Sequence, residues 1–287
     1  MTRGAGSSQV EGQSSSWGTR SSNLELPRRP AFADSTVGAD EYAPGLMITL
    51  GLDVGSQPVR TAACRLDWKS GRAVVLELKL GVTDNDFQLL VNEHVDKIGI
   101  DVPLGWPTAF VQAVTRQARG QSFGTASLHE LAFRATDRAI GARRRGWPLS
   151  VSADRIAYPA MRAARLLEKI DRTGNGRVVE VYPALALRIW GVRSQGYKGL
   201  ANRGNLEELL TELFNQAPWL VLNSSQRDQL AADDNTADAL VAALVARAAA
   251  VGGCEPIPSD QLDAAKREGW IAVPKAGSLA RLAVSAS

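Results

Sequence analysis

Ile48-Thr-Leu-Gly-Leu-Asp-Val54 and Ile98-Gly-Ile-Asp-Val102 carry one pattern written twice. Each reads as a buried strand in which side chains alternate between the two faces of a sheet. Ile48, Leu50, Leu52 and Val54 then point one way, and Gly51 and Asp53 the other. In the second segment Ile98, Ile100 and Val102 oppose Gly99 and Asp101. Both acids sit two residues after a glycine, on a face cleared of bulk. A parallel sheet is covered on both faces, where a lone carboxylate is expensive. Two of them at equivalent positions point to a shared cation.

Working outward, three apolar runs follow in close order: 47–54, 59–66 and 73–80. Gly55-Ser-Gln-Pro58 and Lys69-Ser-Gly71 break them, which predicts a three-stranded meander. Asp84–Val95 reads as a helix with Phe87, Leu90 and Val91 on one face, and 97–104 as the fourth strand. A helix between strands implies a crossover and a parallel pairing with the first strand. Asp53 and Asp101 then lie side by side. Further helices are predicted over 127–145, 159–172, 184–190, 206–214, 235–251 and 259–267. A fifth strand is predicted over 177–182 and a short strand over 270–273. The fold class is α/β: a mixed sheet of order 3-2-1-4-5 flanked by helices, with a helical insertion between strands 4 and 5. Residues 1–45 are rich in Gly, Ser, Pro and scattered charge and read as a disordered tail preceding one domain over 46–287.

The 287 residues are 45% hydrophobic and 22% charged, as in ordinary globular proteins. A net charge of +3 makes no case for nucleic acid by itself. Cys64 and Cys254 form no disulfide framework, which fits a reducing cytoplasm, and two histidines argue against a zinc site. No apolar run is long enough for a bilayer. The oligomeric state is not encoded in any of these features.

Asp234 and Asp238 lie four apart on the alanine-rich helix, beside Ala237, Leu240, Val241 and Leu244. That helix can close a site containing Asp53 and Asp101. Three or four carboxylates favour Mg²⁺ or Mn²⁺, and two such ions clamp the attacking and leaving oxygens of a phosphodiester. Glu180, in Val178-Val-Glu-Val-Tyr-Pro183, is a further candidate ligand, or else an edge-strand acid in solvent. Asp234 or Asn235 capping the helix, and Asp53 opening a turn with Gly55, are the structural alternatives. Arg134 and Arg138 share a helix face and are candidates for holding phosphate; the run Arg143-Arg-Arg145 reads equally as a solvated helix end. Trp106, Trp147 and Trp270 stand beside Pro or Gly, as stacking platforms or as core.

Gly51-Leu-Asp-Val-Gly55, Gly99-Ile-Asp-Val-Pro-Leu-Gly105, Arg134-Ala-Thr-Asp-Arg138, Glu180-Val-Tyr-Pro183, Asp238-Ala-Leu-Val-Ala-Ala243 and Glu268-Gly-Trp-Ile271 occur in this order. The set resembles the domain-of-unknown-function family 429, described as predicted nucleases with a ribonuclease H-like fold, over about residues 46 to 275. The resemblance implies an acidic metal site of Asp53, Asp101 and Asp238, completed by Asp234 or Glu180, acting on nucleic acid. Resolvases of that fold carry two late aspartates three apart; here the earlier position is Asn235 and the acid stands at Asp234. Two rival readings are a phosphotransferase of the actin-like ATPase and sugar-kinase group, for which Gly51-Leu-Asp-Val-Gly-Ser56 resembles a first phosphate loop, and a catalytically silent interaction module.

Overall fold

The computed structural model describes residues 47–143, 148–167 and 172–283. The tail expected over 1–45, Trp147, and Arg144 and Arg145 of the basic run lie outside them.

Six strands form one mixed sheet: β1 (Met47–Asp53), β2 (Ala62–Lys69), β3 (Arg72–Leu80), β4 (Lys97–Asp101), β5 (Val178–Glu180) and β6 (Leu220–Val221), in the order β5-β4-β1-β2-β3-β6. β1, β2 and β3 make an antiparallel meander. β4 joins β1 in parallel, and β5 joins β4 in parallel. β6 adds a sixth strand along β3, where an edge was expected. Its two residues are too few to show a period of two. The strand expected over 270–273 amounts to single bridges, Glu180 to Ile271 and Cys254 to Pro274.

The helices are α1 (Asp84–Asn92), α2 (Thr108–Ala118), α3 (Leu128–Ala132), α4 (Ala135–Arg143), α5 (Ala157–Leu166), α6 (Pro183–Ile189), α7 (Arg203–Gln216), α8 (Ser224–Ala232), α9 (Asp234–Ala250) and α10 (Leu262–Glu268). None among the described residues is long and apolar enough to cross a membrane. Two departures from the sequence reading have local causes. Pro58 opens a single 3-10 turn that ends when the Thr61 N–H reaches the Pro58 carbonyl, so β2 begins three residues later than its apolar run. The helix expected over 127–145 is broken into α3 and α4, because the Arg134 N–H is taken by the Asp137 carboxylate at 3.0 Å instead of by the preceding turn. α2 and α8 were not expected; α8 is polar throughout and buries only Leu230.

Phe87, Leu90 and Val91 of α1 and Ala160 and Ala163 of α5 pack on Leu50, Leu52, Ile98 and Ile100 of one sheet face. α9 covers the other face together with α6 and α7. Every α9 residue from Thr236 to Ala248 is buried. A helix apolar on all sides belongs inside a protein, and this one lies between the sheet and an outer helical layer. It approaches the sheet at two glycines. A Cβ on Gly51 would stand 1.9 Å from the Ala239 carbonyl oxygen, and one on Gly99 would stand 2.2 Å from that of Ala242. Both obstacles are helix backbone, which cannot rotate away.

Gly51→Ala is therefore expected to destabilise the protein by about 3 kcal/mol or more, the upper end for overpacking a core. Gly204→Ala, with nothing within 4 Å of the added methyl, is expected to cost nothing measurable. Urea denaturation of both variants checks the difference. Equal midpoints for the two would show that α9 does not rest on β1 in this way.

Candidate functional site

The register of β1 against β4 aligns Gly51 with Gly99 and Asp53 with Asp101. Directly paired residues share a face, so both acids project from the strand ends toward the α9 side. There α9 begins. Asp233 is its N-cap, its side chain accepting from the N–H groups of Asn235 (2.9 Å) and Thr236 (3.3 Å). The cap is neither of the two residues expected for it. Asp238, one turn further in, precedes the Ala239 carbonyl that rests on Gly51. The glycine contact and the short run from each glycine to its acid thus bring three carboxylates together. One oxygen from each of Asp53, Asp101 and Asp238 lies within 4.8 Å of the others. Asp53 and Asp238 are buried, and Asp101 is half-buried.

Tyr197 and Lys198 complete this cluster, and no sequence pattern marked them. They stand in the loop after α6, between Gly196 and Gly199, where an isolated tyrosine and lysine carry no motif. The Tyr197 hydroxyl donates to Asp238 Oδ1 at 2.6 Å. Lys198 Nζ lies 2.6 Å from Asp238 Oδ2. The Lys198 side chain is 55% exposed, and its ammonium contacts a carboxylate that is 1% exposed. Asp234 lies at the edge, half-buried, with Oδ1 accepting from the Gly199 N–H at 3.3 Å.

The electrostatics are those of crowded acids. Burial, then the negative charges of Asp101 and Asp238, push the Asp53 carboxyl well above the usual range, against the pull of Lys198. Burial pushes Asp101 up to about 7; Lys198 opposes the rise and Asp238 and Glu180 add to it. Lys198 is held in its charged form, above its ordinary range, first by Asp238 and, against burial, by Asp101 and Asp53.

Glu180, Arg134 and Arg138 belong elsewhere. Glu180 pairs with Ile100, one position off Asp101, and therefore faces the opposite side of the sheet. Its carboxylate accepts two bonds from the Arg134 guanidinium, at 2.7 and 2.8 Å, and one from the Leu104 N–H at 2.9 Å. Asp137 takes the remaining edge of Arg134 at 3.0 Å. Glu268 accepts from the N–H groups of Thr108 and Ala135, and its carbonyl from Arg134. These four buried charges tie β5, α4, α10 and the loop after β4 into one network. Arg134 is spent on it and does not reach the acid cluster. Arg138, half-buried, donates to the Phe133 carbonyl at 2.5 Å and lines a shallow pocket between α4 and Pro258 to Gln261. Trp270 is core beside Ala135 and Ala265, and Trp106 packs partly against the α1 face.

The family model described as "Protein of unknown function (DUF429)" matches residues 51–263, and the chain belongs to that family. No curated protein and no solved structure matches it.

Two outcomes follow for the charges. Arg134→Ala leaves Glu180 and Asp137 buried without their cation and is expected to cost about 3–5 kcal/mol, whereas Arg138→Ala is expected to cost under about 1 kcal/mol. Thermal denaturation separates them, and a mild Arg134→Ala would mean that the network is dispensable. The second outcome concerns pH. Asp101 binds its proton more tightly folded than unfolded, where its pKa is about 3.9. Its stabilising contribution is complete below that value and is lost as pH rises through about 7. In metal-free protein the stability of Asp101→Asn relative to the parent is expected to increase from pH 4 to pH 8. A difference flat across that range would show that Asp101 titrates normally.

Proposed function

We propose that this DUF429 protein is a metal-dependent hydrolase of phosphodiester bonds in nucleic acid, with Asp53, Asp101 and Asp238 holding Mg²⁺ or Mn²⁺. The observation that carries the reading is the convergence of three carboxylates, from two strand ends and one helix, within 4.8 Å. The donor set fits a hard divalent cation: all ligands are oxygens, and neither cysteine nor histidine takes part. Asp238 contributes one oxygen to the group although Tyr197 and Lys198 already contact its carboxylate.

The arrangement of strands supports the finer fold assignment. A three-stranded antiparallel meander followed by two parallel strands, with acids at the ends of the first and fourth, is what a ribonuclease H-like domain requires. The substrate class rests on the family resemblance of the ordered motifs. When bound, the ion supplies an activated water and charge stabilisation at the phosphoryl oxygens.

The chain's own residues prepare that chemistry. Asp53 feels the charge of both Asp101 and Asp238 and would hold the ion together with them. Tyr197 occupies Asp238 Oδ1 and so aims Oδ2 into the cluster. The network of Arg134 and Glu180 fixes the Leu104 N–H, three residues past Asp101, and holds the end of β4 in place. Asp101, pushed up to about 7 by burial, would have to give up its proton to hold a cation.

Asp53→Asn keeps the shape of the side chain and removes its charge. It is expected to abolish Mn²⁺-dependent cleavage of labelled DNA and RNA, by at least about 100-fold, while leaving the metal-free protein as stable as the parent or more so. Millimolar Mg²⁺ or Mn²⁺ is expected to raise the Tm of the parent and not of the variant. A parent Tm indifferent to both ions would remove the metal site. A rise with ATP alone would favour the phosphotransferase reading.

A further inference from the structure

Resting on the metal-site reading above, we infer that Lys198 serves as a built-in second cation, so that the acid cluster takes one divalent ion per chain and not two. Lys198 Nζ is in direct contact with Asp238 Oδ2, at 2.6 Å, which leaves no room for an ion between them. Asp238 Oδ1 is taken by the Tyr197 hydroxyl. The ammonium engages Oδ2 as an ion pair, but a carboxylate oxygen keeps a second lone pair, so Asp238 can still join Asp53 and Asp101 on one cation. Three carboxylates with one ammonium among them are two charges short of neutrality, which one divalent ion meets. A second divalent ion would meet the Lys198 charge at contact range, where like charges repel strongly.

The position of Lys198 is fixed by its neighbours on both sides. Tyr197 is 2% exposed and packs in the core beneath α9. The Gly196 carbonyl accepts from Asn205 Nδ2 at 2.8 Å, and the Gly199 N–H donates to Asp234. Gly196 and Gly199 have φ of +67° and +89°, the left-handed backbone that lets the loop turn in and out around just these two residues. The other candidate acids do not belong to the three-carboxylate group. Glu180 is on the other face of the sheet, and Asp234 is at the rim with its Gly199 contact.

The test is a count of Mn²⁺ bound by the full chain after chelator treatment, by electron paramagnetic resonance and by isothermal titration. The parent is expected to bind one ion. Lys198→Met, whose stem keeps the exposed path of the lysine, is expected to bind two, and Lys198→Arg, which keeps the charge, one. Two ions in the parent, one in Lys198→Met, or two in Lys198→Arg would each overturn the inference and leave the metal site standing. No ion in the parent would remove the metal site itself. If Lys198→Met does not fold, the counts for the parent and Lys198→Arg decide.

Discussion

The contact of the α9 backbone with two side-chain-free positions of the sheet is the constraint on which the rest of this structure depends. Gly51 and Gly99 are neighbours across β1 and β4, and together they form the bare strip on which the helix rests. An alanine-rich helix is what such a strip accepts, since larger residues would lift the backbone away. The alanines at 239, 242 and 243 answer the glycines of the sheet. Once that contact is made, the acids have no freedom of position. Asp53 and Asp101 stand two residues beyond the glycines, and Asp238 stands one residue before the first helix contact.

The same contact explains what could be read from the sequence. Strand parity placed Gly51 with Asp53 and Gly99 with Asp101 on one face, because period-two alternation needs no knowledge of neighbours. The pairing of β1 with β4 followed from the crossover helix. Parity alone could not place Glu180. Its face depends on the register of β5 against β4, and a shift of one residue sends the side chain through the sheet. Arg134 was misplaced for a related reason: its spacing from Arg138 describes a helix face, while it actually stands at the break between two helices. Tyr197 and Lys198 were invisible because they reach the site from a loop, where no periodicity marks a side chain's direction.

Two groups of buried charge lie on opposite sides of β4, and they differ in kind. Around Arg134 nearly every donor and acceptor is matched: the guanidinium is held by Asp137 and Glu180, and Glu268 closes the ends of neighbouring segments. Such a network specifies the fold and asks for no ligand. Around Asp53 three acids share one lysine, and burial together with neighbouring negative charge raises the proton affinity of Asp53 and Asp101. Such an imbalance costs stability, and it is on this group that the proposed metal site rests. The two groups are coupled through Leu104, whose N–H is held by Glu180 just beyond Asp101.

The anchoring of the acids has a consequence for access. Asp53 and Asp101 end central strands, Asp238 sits on the helix that those strands hold, and Tyr197 is locked in the core below. Parting these residues would mean parting the sheet from the helix packed on it. Lys198, the ion-pair partner of Asp238, has an exposed side chain. Exposed side chains change rotamer in picoseconds to nanoseconds, whereas packed layers part in microseconds or more slowly. The acids are thus bounded on one side by an exposed side chain and on the others by packed layers, whose motions run on different clocks.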